Sequence, residues 1–390
     1  MLLALLALVV SMQQTPVDGR RVPDGLAVNG HYGEEQSALD PGQPEEMYRD
    51  GFRWVRWGLH WFWVEPQRGQ YDWSRMDPVM QRLDQAGIRS ILILDDVVNA
   101  KYGLDSPRTP GAIQGFANCA VAIAKRYASS HPILEIGNEP DGPSWRPKSN
   151  PQEYATMALA AAKAIRAAVP DAIIAAPAVG PQNREFLTAC FEVGLLDYID
   201  EVSVHPYRME RPESVLADYK SLFNLIKSYH PSRPVGIFST EWSYPLTYIG
   251  VDPERQAQYD LRVYLLGMLA GLDGTALYEW YDHPILPGQT QGHFGLREQD
   301  GADSLALSKL RSLVTELDGY TVTDSVIDGP QDSYILVFTK GGQHKVVGWT
   351  AIADPPTVEH IRDPDGDRSG VDVQFHGRSV HLTGMPTVLQ

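Results

Sequence analysis

The sequence predicts an α/β fold, a (β/α)8 TIM barrel with a small C-terminal β-rich domain. Three observations carry that reading. Strand-like apolar runs alternate with helix-like segments from about residue 26 to residue 317, and the alternation counts eight units. Several of the runs are short and continuously apolar, as in parallel strands buried on both faces. No glycine-rich dinucleotide fingerprint follows the first run, which weakens the doubly wound open sheet as the alternative.

The predicted strands are Leu26–Asn29, Trp54–Trp57, Ser90–Leu94, Ile133–Ile136, Ile173–Ala176, Glu201–His205, Val235–Phe238 and Thr275–Tyr278. Between them, Met76, Val79, Met80 and Leu83 repeat with a helical period over Met76–Ala86. Ala112–Ala128 and Tyr154–Val169 are alanine-rich and periodic. The second opens on Asn150, Pro151 and Glu153, a capping residue, a proline at the first helical position and an acid three residues after the cap. Asp252-Pro253-Glu254 opens the helix before the eighth strand in the same way, and Ser308–Leu317 closes the series. Beyond Leu317 the pattern changes. Ser333–Thr339 and His344–Thr350 flank Gly341-Gly342, and Val371–Phe375 and Arg378–Leu382 flank His376-Gly377, two hairpin signals. Asp363–Asp367 reads as a turn. The barrel is therefore set at residues 22–318 and the β-rich domain at residues 319–390.

Hydrophobic residues at 43% and charged residues at 21% exclude a largely disordered chain. A net charge of -16 without a basic patch argues against nucleic acid as a partner and suits a neutral substrate. Cys119 and Cys190 sit in apolar helical patterns, which predicts two buried free thiols. No metal-ligand spacing and no cofactor motif occurs, so neither is expected. The apolar run Met1–Val10 is too short to span a bilayer. It reads as a signal peptide over residues 1–14, although it lacks a basic start and a clean cleavage site. That places the protein outside the cytoplasm, secreted or periplasmic. Composition leaves the oligomeric state open.

In a barrel the chemistry sits where strands end at the C-terminal face. The fourth strand runs into Gly137-Asn138-Glu139-Pro140 and the seventh into Ser239-Thr240-Glu241-Trp242. Two carboxylates facing across a sugar-sized pocket are what retaining glycoside hydrolysis needs, one as nucleophile and one as acid then base. This predicts Glu241 as nucleophile and Glu139 as acid/base, with their carboxyl groups roughly 5–5.5 Å apart. Glu241 is then expected to raise the pKa of Glu139.

Asn138-Glu139-Pro140 together with Glu241 resembles glycoside hydrolase clan A, whose members are barrels with acid/base and nucleophile on strands four and seven. Phe52–Trp61 with Glu65-Pro66, Gly69 and Tyr71–Trp73 looks like the second-strand region of family 39, and Trp280–Asp282 with Phe294–Leu296 like its eighth. Family 5 is the nearest competitor. The resemblance covers roughly residues 24–320. It implies that Asn138 bonds the sugar 2-hydroxyl and that Arg56, at the end of strand two, keeps Glu241 ionised. It implies that His205 and Tyr207 orient the nucleophile and contact substrate, and that Trp280, at the end of strand eight, forms the floor under the sugar. Trp61, Trp242 and His31 are further candidate sugar contacts. Trp57, Trp63, Trp145, Asp95 and Asp96 are weaker ones.

The expected activity is hydrolysis of a β-linked polysaccharide or oligosaccharide, with the tryptophan content favouring endo over exo action. The competing readings are a glycan-binding pseudoenzyme, and a barrel isomerase or aldolase. The last would need a metal set or a lysine at a strand end, and no predicted strand ends on lysine.

Overall fold

Eight aliphatic runs pair in parallel and close into a barrel: β1 (Leu26–Asn29), β2 (Trp54–His60), β3 (Arg89–Asp95), β4 (Ile133–Ile136), β5 (Ile173–Val179), β6 (Glu201–Val204), β7 (Gly236–Trp242) and β8 (Gly274–Leu277). The order around the barrel is sequential, and β8 closes it by pairing with β1. This computed structural model describes residues 19–32, 42–95, 99–248, 251–282, 292–329, 332–352, 354, 370–375 and 378–389. The Met1–Val10 run lies outside the described residues, as do Asp96, the Asp363–Asp367 turn and the His376-Gly377 turn. The side chain of Asp95 lies outside them too.

Helices cover the strands: α1 (Gln43–Arg49), α2 (Trp61–Val64), α3 (Met76–Ala86), α4 (Pro110–Arg126), α5 (Pro151–Ala168), α6 (Arg184–Glu192), α7 (Val215–Ser228), α8 (Pro253–Ala270) and α9 (Leu305–Leu317). The caps read from sequence are present. Asn150 Oδ1 accepts from the backbone N–H groups of Gln152 and Glu153, both at 3.1 Å. Asp252 Oδ1 accepts from that of Arg255 at 2.8 Å. Both satisfy donors that the first helical turn leaves without an intrahelical partner. The thiols of Cys119 on α4 and Cys190 on α6 are free and buried.

β2, β3, β5 and β7 run further than their apolar patterns, and β8 ends one residue short of its own. β2 continues to His60, so Arg56 is the third of its seven residues and not its end. β8 stops at Leu277, so Trp280 lies beyond it. Side chains alternate between the inside and outside of each strand, which builds the interior in layers. Ala27, Trp54, Ile91, Ile133, Ala175, Phe238 and Ala276 form a closed apolar layer at the lower end. Two residues further along their strands come Asn29, Arg56 and Glu135, a polar layer directly above.

After α9 the chain forms β9 (Thr321–Asp328), β10 (Ser333–Lys340), β11 (Gln343–Thr350), β12 (Val371–Phe375), β13 (Arg378–Leu382) and β14 (Thr387–Leu389). Four of these make an antiparallel sheet in the order β14-β11-β10-β9, and β12 pairs with β13. The tail is locked to the barrel through α8, whose residues from Arg255 to Leu269 are all buried. Arg262, with 0% exposure, donates to the Gly384 and Thr350 carbonyls and pairs with Asp354. Arg255 reaches the same carboxylate at 2.9 Å. Glu213 lies 3.6 Å from Arg262 and accepts from the Trp349 indole at 2.8 Å.

Arg262→Ala removes the cation and leaves Asp354 and Glu213 buried with too little countercharge. Unfolding by urea is expected to show a loss of about 3–5 kcal/mol. A loss no larger than that of an exposed substitution would mean that the tail is not held by this cluster.

Candidate active site

The site is assembled by irregularities at the upper ends of three strands. Past β4, Gly137 takes φ 80 and Glu139 takes φ 46. The first is easy for glycine, while the second is a left-handed conformation that a glutamate adopts only under constraint. The constraint is visible. The Glu139 N–H donates to the Ala178 carbonyl at 3.2 Å. Ser144 Oγ donates to the carbonyls of Asn138 and Glu139, at 2.8 and 2.5 Å. In β7 the pairing with β8 slips between Ser239 and Trp242, a bulge that falls on Thr240 and Glu241. Bulges re-aim side chains, and this one turns Glu241 toward the barrel axis. On its far side, Ser243 Oγ donates to the buried Asp260 of α8 at 2.6 Å.

Arg56 organises the floor. Its Nε donates to Glu135 at 2.6 Å, and its Nη1 to Glu241 at 2.5 Å and to Asn29 Oδ1 at 3.0 Å. Its Nη2 donates to Asn138 Oδ1 at 2.6 Å. Four of the five guanidinium donors are thereby used. Burial works against the charge, but Glu135 and Glu241 outweigh it and raise the Arg56 pKa. Asn29 spends its amide N–H groups on the Thr240 and Leu277 carbonyls, tying together the tops of β7 and β8. Because the Asn138 oxygen is taken by Arg56, its NH2 remains as the group to offer a ligand.

The carboxylates meet around His205. Its Nδ1 lies 2.9 Å from Glu139 Oε1 and 3.7 Å from Glu241 Oε2. One ligand atom from each of Glu139, His205 and Glu241 falls within 4.8 Å of the others. The Tyr207 hydroxyl donates to Glu241 at 3.1 Å, and burial followed by the Glu241 charge pushes its pKa well up, so it remains a donor. The His205 hydrogen bond holds the Glu139 carboxyl below the usual carboxylate range, against the opposing effect of burial. Burial lowers the His205 pKa, while Glu241 and Glu139 more than reverse that and leave it raised. The expected rise of the Glu139 pKa is overturned: the hydrogen bond from His205, 2.9 Å away, outweighs the effect of burial. The three ligand atoms could approach a metal ion, but the Arg56 charge opposes a cation there.

Between these groups lies a cavity of about 340 Å³. Asn29, Arg56, Asn138, Glu139 and Glu241 line it, with His31, His60, Trp57, Ser144 and Tyr278 around them. His31 Nε2 is 2.8 Å from Glu279. A second cavity, of about 420 Å³, opens among Arg20, Arg89 and Glu201 at the opposite end of the barrel, where this fold does not place its chemistry.

Three tryptophans expected against the sugar are elsewhere. Trp280 is 1% exposed, edge-on to Phe52 and covered by Arg297, and Tyr278 lines the cavity in its place. Trp242 is buried beneath Tyr244 and Arg208. Trp61 is buried against Tyr102, with its N–H bonded to Glu65 at 2.6 Å. In each case the indole's apolar area has gone into packing. Sequence reading missed Glu135, Asn29, Tyr278 and His60. The available signal was the inward period of two along β1 and β4, which carries Asn29 and Glu135 into the layer of Arg56.

A sequence profile for cellulase, glycosyl hydrolase family 5, matches residues 27–248, more than half of the chain. The chain belongs to this family of glycoside hydrolases. Among solved structures, this glycoside hydrolase is similar to a family 39 enzyme from the gut symbiont Bacteroides cellulosilyticus WH2. They share 19% identity over 94% of this chain and 80% of the other, with a TM-score of 0.73. A GH39 β-xylosidase from Caulobacter crescentus aligns at 18% identity and TM-score 0.62, over 87% of this chain and 81% of its own. A GH30 endoxylanase from Clostridium papyrosolvens C71 aligns at 12% and 0.62, over 85% and 82%. At such identities the likeness is one of fold. No curated protein matches the sequence. The clan A placement thus stands, with family 5 represented by the sequence profile and family 39 by the fold. Among the described residues, no helix is long and apolar enough to cross a membrane.

The carboxyl of Asp260 offers a test of the support behind β7. Burial pushes its pKa up to about 8, against the pull of Ser243. The folded value lies above the unfolded one. The group's contribution is therefore fully present below about pH 4 and is lost as pH rises through about 8. Asp260→Asn should abolish this decline, seen as a smaller fall in melting temperature between about pH 5 and about pH 8.5. Parallel wild-type and variant profiles would contradict the assignment.

Proposed function

We propose that the protein is a retaining hydrolase of β-linked glycans, with Glu241 as nucleophile and Glu139 as acid/base. The observation that carries this reading is the approach of the two carboxylates to within 4.8 Å. Retaining pairs stand roughly 5–5.5 Å apart, whereas inverting pairs leave roughly 6.5–9.5 Å for a water molecule. Arg56 and Tyr207 both bond Glu241, which aims its carboxylate. The Asn138 NH2 is the donor for the sugar 2-hydroxyl, a contact that tightens in the transition state.

The reaction divides into two displacements. Glu241 attacks the anomeric carbon while the bond to the leaving oxygen breaks and Glu139 gives that oxygen a proton. Water then attacks the glycosyl ester, passes its proton to Glu139, and releases Glu241. The proton resides on the His205–Glu139 pair. A neutral sugar filling the cavity lowers the local dielectric and favours the neutral form of that pair, with the proton on Glu139. Export of the enzyme remains the reading of the Met1–Val10 run alone.

Hydrolysis of a panel of labelled β-glycans, followed by product sizing, tests the activity and separates endo from exo action. Glu241→Ala should lower kcat by about 10⁴-fold or more. With azide and an activated aryl β-glycoside, it should yield the α-glycosyl azide, read by NMR. Near wild-type turnover, or a β-azide product, would remove Glu241 from the nucleophile role.

His205→Asn is expected to move the basic limb of kcat/KM to lower pH. That limb reports loss of the acid's proton in the free enzyme. In the wild type the proton leaves a pair whose imidazole pKa is raised; without the imidazole it leaves a lone carboxyl. An unmoved limb would separate His205 from the proton on Glu139.

A further inference from the structure

The first turn after β2 places aromatic rings in two directions. Trp61 and Val64, three residues apart on α2, point inward and are buried. Phe62 and Trp63 therefore face outward. Phe62 is 38% exposed, uncommon for so large an apolar side chain here. It is not isolated. His60, which lines the cleavage cavity, stacks on Phe62 with centroids 5.3 Å apart and planes 19° apart. Trp63 stands edge-on to His60 at 4.3 Å and to Phe62 at 5.3 Å, and Arg75 lies over its ring at 4.6 Å. The rings thus continue the cavity wall out to the surface.

The turn is also rigidly held. The Trp61 N–H and the Tyr102 hydroxyl both donate to Glu65, at 2.6 and 2.7 Å, and Trp61 stacks on Tyr102 at 4.7 Å. A fixed aromatic face beside a sugar cavity binds the C–H face of a pyranose with little ordering cost.

We propose that Phe62, backed by His60 and Trp63, is the stacking platform for the sugar unit next outside the cleavage cavity. The enzyme then grips a chain rather than a single terminal unit. This rests on the glycan-hydrolase reading above.

The test compares Phe62→Ala, Phe62→Tyr and wild type on aryl β-monoglycosides and on β-linked gluco- and xylo-oligosaccharides of two to six units. Val193→Ala, at an exposed site just beyond the C-terminal end of α6, is the control. Phe62→Ala should raise KM for the longer chains about 3- to 10-fold, the range of one aromatic contact, with kcat retained. The monoglycoside constants should not move, and Phe62→Tyr should restore the wild-type KM. Equal effects on short and long substrates, or no effect on either, would overturn the platform while leaving the hydrolase reading intact. No hydrolysis of any glycan by the wild type would overturn both.

Discussion

A single buried guanidinium governs this barrel. Arg56 sits in the layer above the apolar plug and binds Glu135, Asn29, Asn138 and Glu241 at once. Those partners come from three strands or their upper ends, so one side chain on β2 sets the relative positions of β1, β2, β4 and β7. A buried cation is tolerable only when its donors are matched, and the match is close to complete. Two carboxylates and two amide oxygens serve one fork, and the neighbouring amide groups of Asn29 are spent on backbone carbonyls.

The two carboxylates of the candidate site were legible in the sequence because each follows a hydrophobic run at a place the fold makes special. Glu139 and Glu241 follow continuous apolar segments, and the alternation of segments numbers those strands four and seven. Glu135 was not legible for the opposite reason. It lies inside the run Ile133–Ile136 and looks like a lapse in an apolar strand until Arg56 is placed across from it. The tryptophans misled by their size. An indole near a strand end suggests a sugar platform, but Trp61, Trp242 and Trp280 are each buried by packing within the protein. The rings that do face outward, on Phe62 and Trp63, differ from Trp61 by only one or two positions along a helical turn. The boundaries of β2 and β8 decide which residue reaches the cavity, and apolar runs do not mark those boundaries.

Charge placement was the other blind spot. Two carboxylates alone would push each other toward protonation. The third group, His205, reverses the sign at Glu139 through its hydrogen bond to that carboxyl. The pair and its neighbour therefore titrate as a unit. A histidine that the resemblance assigns to the nucleophile lies within hydrogen-bond reach of the other carboxylate and lowers its pKa.

The depth of Glu135 has a consequence for turnover. Formation of a glycosyl ester on Glu241 would erase the negative charge that faces Arg56. In a site with one carboxylate, the guanidinium would then be a lone cation in a dry interior, and the covalent species would pay for it in energy. Glu135 is fully buried and bonded to Nε, so this partner of Arg56 would stay in place when Glu241 is esterified. The barrel thereby holds a second carboxyl partner for the guanidinium, and the proposed intermediate would form without leaving Arg56 alone.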